Sequence, residues 1–261
     1  MKTIGVDTGG TFTDFVCRVG DEVRAEKLPS TPADPSLAVL EGVQRLGGAG
    51  KRDEIVHGTT VALNALLTGK VGRTALVVNE GFLDLIEIGR QARPELYALH
   101  PQKQDALVPR NLRFELHQRS WPKEGGGLEE VAKPTQQELK DLRDKLKRAR
   151  PDSIAICLLH SYQDPAMEQR VAKALAALKL PITCSGTLLR EYREFERFST
   201  ATANAALVPI VARYLEKLGT ALPGTRLSIL QSSGGTLPAE RAAQEPARVL
   251  LSGPAGGVVG A

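Results

Sequence analysis

The chain has 261 residues and a formal net charge of +4, from 34 Lys and Arg against 30 Asp and Glu. This small excess of positive charge and an aromatic content of 4% argue against a nucleic-acid-binding surface, in which basic and stacking side chains alternate. We find no signal peptide and no apolar run of about 18 residues, so we expect neither export nor a membrane partner.

Two predicted strands open the chain around a turn that is rich in oxygen atoms. Apolar residues alternate on both sides of DTGGTFTD, residues 7–14, which predicts a hairpin, and a third strand is suggested by Val23, Ala25 and Leu28. Gly9 and Gly10 would let the backbone adopt positive φ and approach a ligand, and successive N–H groups of such a turn can bind an anion. A plain structural turn is the alternative, since a Gly-Gly pair between strands usually has that role.

The polar side chains of this turn favour a phosphate site. Asp7 ends the first predicted strand and Asp14 lies on the second, where one carboxylate can contact Mg²⁺. Thr8, Thr11 and Thr13 can bind phosphate oxygens. The sequence has no GxxxxGK[ST] after a strand, and DTGGTFTD lacks GxGxxG spacing and leads into a strand, so two familiar phosphate motifs are excluded. Whatever binds here does so on a hairpin.

Strands and helices then alternate. A helix is predicted from Pro35, a strand over EIVHGTT, a helix over VALNALLTG that closes at Gly69, and a strand over residues 73–79. Residues 92–112 lack periodicity and contain three prolines, which predicts a surface excursion.

The second half continues the alternation. It begins with a strand over RFELHQRSW and a loop with a possible short hairpin over KEGGGLEEVAKP. An amphipathic helix follows over 135–149, with Leu139, Leu142 and Leu146 on one side. Next come a buried strand over SIAICLLH, a helix from Pro165 and a short strand over PITCSG. A long helix over about 191–218, interrupted or kinked near Pro209, leads to a strand that enters a glycine turn over RLSILQSSGG. The pattern predicts an α/β sheet with a mixed edge formed by the N-terminal strands.

Two histidines end predicted buried strands and precede turns, which is where α/β sheets place functional side chains. They are His57, in HGTT, and His160, in HSYQDP. The alternative for each is a histidine that only hydrogen-bonds a loop carbonyl. Thr59, Thr60 and Asn64 after His57 can cap a helix.

The remaining polar features have simpler explanations. The SSGG stretch at 232–235 can be a turn that simply ends a strand, or a polar turn that faces a cleft. Three widely separated cysteines, Cys17, Cys157 and Cys184, favour buried thiols in a reducing compartment, so we predict a cytoplasmic protein.

Four stretches together resemble the ATP-dependent hydantoinase and oxoprolinase family, whose relatives include acetone carboxylase subunits. They are IGVDTGGTFTD at 4–14, HGTTVALNALL at 57–67, CLLHSYQDPAMEQ at 157–169, and QSSGG with LLSGPAGGVVGA at 231–235 and 250–261. REYREFERFSTATANAAL also resembles a family element, although Ala206 stands where members commonly carry an aromatic residue.

The resemblance implies a two-lobed fold of the actin, sugar-kinase and heat-shock-chaperone type (ribonuclease H-like), with a nucleotide in the cleft. It implies an N-terminal domain over residues 1–185 and the beginning of a catalytic domain over 186–261. A second phosphate hairpin, DxGGT, is expected after the connecting helix that LLSGPAGGVVGA resembles, and this sequence contains no second DxGGT. We therefore expect a fragment with half of a nucleotide site, inactive without a C-terminal half or a second subunit in an oligomer.

The resemblance also implies the chemistry. ATP would drive the opening of a cyclic amide such as 5-oxoproline or a hydantoin, or carboxylation in the acetone carboxylase branch, largely through positioning and charge neutralisation. ATP would contact Asp7, Thr8, Gly9, Gly10, Thr11, Thr13 and Asp14; Asp7 would hold Mg²⁺, and His57 and His160 would serve the substrate side. A non-catalytic binding module is the alternative, and a small-molecule kinase of the same superfamily fits fewer of the motifs.

Overall fold

The computed structural model describes residues 1–92, 95–100 and 105–253. The strands are β1 (Lys2–Thr8), β2 (Phe12–Val19), β3 (Glu22–Pro29), β4 (Glu54–Thr59), β5 (Thr74–Asn79), β6 (Arg113–Leu116), β7 (Arg119–Pro122), β8 (Leu128–Ala132), β9 (Ser153–Cys157), β10 (Ile182–Cys184), β11 (Arg226–Leu230) and β12 (Thr236–Pro238). The helices are α1 (Pro35–Arg45), α2 (Val61–Leu67), α3 (Leu85–Ile88), α4 (Gln136–Ala149), α5 (Ala166–Leu175), α6 (Ser185–Leu188), α7 (Glu194–Ala221) and α8 (Ala239–Gln244).

The chain forms two compact units. Unit 1 comprises Met1–Val71 with Leu207–Ala261, and unit 2 comprises Gly72–Ala206. The chain therefore enters unit 1, leaves it for unit 2 and returns. The division into domains over residues 1–185 and 186–261 was inferred from the family resemblance, and it stays a prediction.

Unit 1 contains a six-stranded mixed sheet in the order β12-β11-β4-β1-β2-β3. β1 pairs antiparallel with β2 and parallel with β4, and β4 pairs parallel with β11. The predicted N-terminal hairpin, its third strand and the mixed sheet edge that they form are thus confirmed. Because β1 and β4 are parallel neighbours, the turn after β1 and the start of α2 meet at one edge of the sheet.

Helix α1 packs on the hairpin through a residue without a side chain. A Cβ at Gly42 would lie 2.1 Å from Cζ of Phe15, so the aromatic ring lies directly against the helix backbone. Phe15 is 1% exposed and belongs to the unit 1 core with Ile4. The helix begins at Pro35 as predicted, and Asp34 Oδ1 accepts from the Ser36 amide at 3.2 Å.

Unit 2 contains a four-stranded parallel sheet in the order β10-β9-β5-β6 and a two-stranded antiparallel ribbon of β7 and β8. The ribbon confirms the hairpin predicted around KEGGGLEEVAKP. The single strand predicted over RFELHQRSW was wrong, because β6 and β7 divide that stretch between different sheets. The apolar side chains of β9 are all buried, which is typical of a parallel strand covered on both faces.

The helices of unit 2 follow their sequence signals. Helix α4 begins with a capping box in which Thr135 Oγ1 accepts from the Glu138 amide and Glu138 accepts from the Thr135 amide. Its buried side is formed by Leu139, Leu142 and Leu146, as predicted. Helix α5 begins directly after Pro165.

Three further expectations concern the longer or less regular segments. Helix α7 runs through Pro209 as one assigned helix. The surface excursion predicted over 92–112 and the glycine-rich helix predicted within LLSGPAGGVVGA lie partly outside the described residues. No helix within residues 1–92, 95–100 and 105–253 is both long and apolar enough to cross a membrane.

Candidate functional site

One row of residues crosses the unit 1 sheet beside the N-terminal turn. The register pairs Asp7 of β1 with Asp14 of β2 on one side and with Gly58 of β4 on the other. Because directly paired residues share a face of the sheet, the two carboxylates and the glycine lie side by side. This row is the centre of the candidate site.

The two carboxylates of this row have different surroundings. Asp14 Oδ1 lies 3.0 Å from Lys27 Nζ and forms an exposed ion pair. Asp7 makes no ion pair within the described part of the chain. Partial burial raises the pKa of Asp7, and the negative charge of Asp14 raises it further. A cation close to Asp7 would relieve both effects.

Glycines leave open space around the Asp7 carboxylate. A Cβ at Gly58 would lie 3.1 Å from Asp7 Oδ1, and a Cβ at Gly253 would lie 3.9 Å from the same atom. Most side chains at Gly58 would crowd the carboxylate, so its glycine keeps Asp7 accessible along the row.

The turn at residues 9–11 differs from its predicted conformation. Neither Gly9 nor Gly10 has φ in the left-handed region, so the expectation of positive φ was wrong. Gly9 is constrained by space: its N–H donates to Phe12 O at 2.9 Å, and a Cβ there would lie 3.1 Å from that oxygen. The backbone N–H groups of Gly10 and Thr11 donate to no atom of the described residues. They are the amides that the turn offers to an anion.

The predicted threonine donors differ in exposure. Thr8, paired with Thr13 on β2 and with Thr59 on β4, forms a second row whose members are at most 2% exposed. Thr11, by contrast, is exposed. In this structure Thr11 is therefore the threonine of the turn with a hydroxyl at the surface.

Ser30 fixes the turn from the neighbouring loop. Its hydroxyl donates to Gly9 O at 2.8 Å and lies 3.0 Å from Thr13 Oγ1, and its amide donates to Thr11 O at 2.8 Å. These three contacts tie the turn to the end of β3. No sequence signal indicates this role, because Ser30 lies 21 residues from Gly9 in an ordinary Pro-Ser-Thr-Pro stretch.

His57 is 0% exposed, and both of its ring nitrogens are occupied. Nδ1 lies 3.3 Å from Val6 O, and Nε2 lies 2.7 Å from the hydroxyl of Tyr214. Since a carbonyl oxygen can only accept, we assign the proton to Nδ1, and the Tyr214 hydroxyl donates to Nε2. Burial lowers the pKa of His57 to about 4, so the ring is neutral near pH 7.

Tyr214 was not predicted as a site residue. Burial raises the pKa of its hydroxyl, which therefore stays protonated and remains a donor. It lies on α7, 157 residues from His57, in a helical stretch that carries no motif.

The start of α2 is bound to the turn and to the segment after α8. Thr60 occupies the N-cap position of α2 but makes no side-chain capping bond, and its Oγ1 donates to Thr8 O at 3.0 Å. The amide of the first helical residue, Val61, donates to Thr59 Oγ1 at 3.2 Å. Ser252 Oγ donates to Thr59 O at 3.0 Å. The HGTT stretch thus joins β1, α2 and the SGP stretch at one point.

A cavity of about 500 Å³ lies in unit 1 beside the same turn. We call it the turn cavity. It is bordered by the end of β1 and the turn (Thr8, Gly9 and Gly10), by residues 30–33 and Pro35, by one side of α2 with its flanking residues, and by Lys70 and Ile210. Its apolar lining consists of Pro32, Ala33, Pro35, Val61, Ala65 and Ile210. The volume is typical of small-ligand sites.

His160 lies in unit 2, whereas His57 lies in unit 1. Its backbone has φ of +58°, and Nδ1 is buried without a hydrogen-bond partner among the described residues. The rings of Trp121 and Tyr162 lie 5.9 and 6.4 Å from its ring. A strained backbone and an unpaired nitrogen are features of functional residues, so His160 stays a candidate.

A buried carboxylate holds the turn that carries His160. Glu168 accepts from the amides of Leu158 and Gly186, both at 2.8 Å, and from the Ser185 hydroxyl at 2.7 Å. Burial raises the pKa of Glu168. Arg197, 0% exposed, donates to Leu158 O at 3.1 Å. These two residues were missed, although Glu168 lies within the quoted CLLHSYQDPAMEQ motif.

The predicted glycine turn after β11 has a structural role. Gly234 and Gly235 have φ of +86° and +74°, as a tight turn requires. The Ser232 amide donates to Arg248 O at 2.8 Å, and Ser232 Oγ accepts from the Leu251 amide at 3.0 Å.

Comparison with known proteins gives the family. A model described as the hydantoinase/oxoprolinase N-terminal region matches residues 3–178, and the hydantoinase/oxoprolinase model matches residues 197–261. The chain belongs to the hydantoinase/oxoprolinase family. The resemblance drawn from the sequence is confirmed.

Relatives of this family member cover nearly all of the chain. It is 33% identical to caprolactamase subunit alpha of Pseudomonas jessenii over 97% of the chain, and 34% identical to 5-oxoprolinase 1 of Arabidopsis thaliana over 98%. The matches cover 38% and 23% of those relatives, so the chain spans less than half of their length.

Solved structures show the same fold. The nucleotide-free structure of acetone carboxylase matches 99% of the chain with a TM-score of 0.83 and 26% identity. The ATP-dependent caprolactamase from Pseudomonas jessenii matches 97% with a TM-score of 0.82 and 30% identity. Each match covers 39% of the solved chain. The mixed α/β fold is thus shared with two ATP-dependent enzymes.

Proposed function

We propose that this chain is the N-terminal part of an ATP-dependent enzyme that opens cyclic amides, and that the β1–β2 turn contacts the nucleotide phosphates. One observation carries the proposal: the Asp7 carboxylate, which has no ion pair within the described residues, lies beside a turn with two available backbone amides, those of Gly10 and Thr11. A carboxylate and an anion-binding turn at one strand end suit a metal-bound phosphate.

The residues present fit Mg²⁺ and ATP. Asp7 would hold Mg²⁺, the Gly10 and Thr11 amides with the Thr11 hydroxyl would hold phosphate oxygens, and the space left by Gly58 would admit them. When bound, ATP supplies the phosphoryl group that makes an amide oxygen a better leaving group. Ser30 keeps the turn in place.

The other predicted contacts take indirect roles in this proposal. Thr8 and Thr13 are at most 2% exposed, and Asp14 is paired with Lys27, so we assign these residues to shaping the hairpin. His57 is enclosed and positions β1 against β4 through Val6. The predicted substrate role of His160, which lies in unit 2, stays a prediction and is no part of this proposed site.

The wider proposal follows the relatives. We propose an actin-like ATPase fold, the domains over 1–185 and 186–261, a cytoplasmic location, and an oligomer completed by a C-terminal half or a second subunit. The name caprolactamase subunit alpha is that of one subunit, which supports a partner. Carboxylation of a ketone is the second candidate, favoured by the similarity to acetone carboxylase.

Calorimetric titration with ATP, with and without Mg²⁺, tests the nucleotide site. We expect Mg²⁺-dependent binding that Asp7→Asn weakens at least about tenfold, because a neutral amide is a poor magnesium ligand. Asp14→Asn is the matched control and should change affinity less than about threefold, since only an exposed ion pair is lost. Equal losses in the two variants, or binding indifferent to Mg²⁺, would contradict the proposed site.

An activity assay tests the wider proposal. The 261-residue chain should show little ATPase activity with cyclic amides, and activity should appear when a C-terminal half and a second subunit are added. Robust turnover by the chain alone would contradict the need for both.

A further inference from the structure

The HGTTVALNALL motif has a feature that nucleotide binding leaves unexplained. Thr60, Val61, Asn64, Ala65 and Thr68 recur at helical spacing along α2 and its ends, and all of them line the turn cavity. One side of the motif therefore borders an open space. That space reaches Gly9 and Gly10, the turn where phosphate would lie.

The turn cavity carries a single charged side chain. Among its lining residues Lys70 is the one cation, and the lining includes no Asp or Glu. Lys70 has no ion pair and no side-chain hydrogen bond within the described residues, whereas Lys27 and Lys217 of the same unit are paired with Asp14 and Asp34. The cavity thus combines an apolar wall with one unneutralised positive charge.

We propose that the turn cavity binds the cyclic amide, and that Lys70 selects an amide ring that carries a carboxylate. The proposal rests on the proposed function, since it places the phosphate acceptor beside the turn that holds the donor. The apolar side chains of Pro32, Val61 and Ile210 suit the methylene groups of the ring.

Position supports this choice of ligand. An amide oxygen must come close to the transferred phosphoryl group, and the turn cavity is bordered by Gly10, whose amide is one of the two proposed to hold phosphate oxygens. The Asn64 amide nitrogen donates to Thr60 Oγ1, which leaves Asn64 Oδ1 to accept from a ring N–H. A neutral ring would use the same wall but would gain nothing from Lys70.

Two probes that differ only in the carboxylate test the proposal. Ligand-observed NMR titration of the 261-residue chain would compare 5-oxoproline with 2-pyrrolidinone, the same ring without its carboxylate. We expect 5-oxoproline to bind about two- to fivefold more tightly, the range of an exposed charge pair. Lys70→Met should abolish this difference, and Lys70→Arg should keep most of it.

The matched control is Lys51→Met. Lys51 is exposed in the same unit but lies before the amino end of β4, whereas the turn cavity lies at its carboxyl end. Lys51→Met should leave the ratio of the affinities for 5-oxoproline and 2-pyrrolidinone unchanged. Thermal unfolding of each variant checks the fold. Equal binding of the two probes to the wild-type chain, or an unchanged ratio in Lys70→Met, would overturn the proposal.

The competing occupant of the turn cavity is the nucleotide itself. In that case Mg²⁺-ATP would displace 5-oxoproline, and Lys70→Met would weaken ATP binding; both results would overturn the proposal. We expect 5-oxoproline to bind equally well to Asp7→Asn, which lacks only the metal ligand. If the wild-type chain binds 5-oxoproline but not ATP, the proposed function is contradicted. If it binds ATP but not 5-oxoproline, only the cavity proposal is contradicted.

Discussion

Acidification should destabilise the protein through His57. The imidazole is fully buried and neutral, with its pKa lowered to about 4 from an ordinary value of 6.5. Between these values the unfolded chain binds a proton that the folded chain does not, so stability falls as the pH falls. The contribution of His57 is fully present above pH 6.5 and is lost as the pH falls through about 4.

The size of this effect follows from the two pKa values. The interval from 6.5 to about 4 spans about 2.5 pH units, and each unit corresponds to about 1.4 kcal/mol. Protonation is only partial near each of the two pKa values, so roughly 3 kcal/mol of unfolding free energy is lost between pH 7 and pH 4. Roughly 2 kcal/mol of this is lost by pH 5.

Urea unfolding followed by far-ultraviolet circular dichroism at pH 7, 6 and 5 measures this loss. His57→Gln removes the titrating group, so the variant should be less stable at pH 7 but should lose roughly 2 kcal/mol less than wild type by pH 5. Asp7 and Glu168 have raised pKa values, which favour the folded state at low pH. Because both residues are present in the wild type and in His57→Gln, their effects cancel in the difference between the two proteins.

His100→Gln is the control for the substitution itself. His100 is exposed, so its replacement reports what a His→Gln change at the surface does to stability. If His57→Gln loses as much stability by pH 5 as the wild type, the assignment of a buried neutral imidazole is refuted. The same conclusion would follow if the ring protons of His57 titrated near pH 6.5 in NMR spectra.

Two further predictions concern packing in unit 1. Tyr214→Phe leaves a buried imidazole nitrogen without its donor and should cost about 1–3 kcal/mol of unfolding free energy. The control is Tyr97→Phe, at a residue that is 93% exposed, which should cost less than about 0.5 kcal/mol. Similar losses in the two variants would contradict the hydrogen bond between Tyr214 and His57. Gly42→Ala places a methyl group 2.1 Å from an aromatic carbon and should destabilise by about 1–3 kcal/mol, while Gly219→Ala, in α7 with no atom within 4 Å, should stabilise by about 0.5–1 kcal/mol. Thermal or urea unfolding measures both, and a gain from Gly42→Ala would disprove the close contact.

Much of the fold was predictable because its signals are local. Alternation predicted the N-terminal strands, Pro35 predicted the start of α1, and the leucine spacing of α4 predicted its buried side. Each signal depends on residues within a few positions of one another, where backbone geometry fixes which side chains share a face. The division of RFELHQRSW between two sheets was missed, since sheet membership depends on distant strands.

The sequence by itself determined the family, the hairpin and the carboxylates of its turn, because these reside in contiguous motifs. Tertiary structure decided which of these residues are available. It buried Thr8 and Thr13, paired Asp14 with Lys27, and enclosed His57 with a tyrosine 157 residues away. Strand register and helix packing bring distant residues together, and a side chain's exposure and charge depend on those neighbours rather than on its own motif.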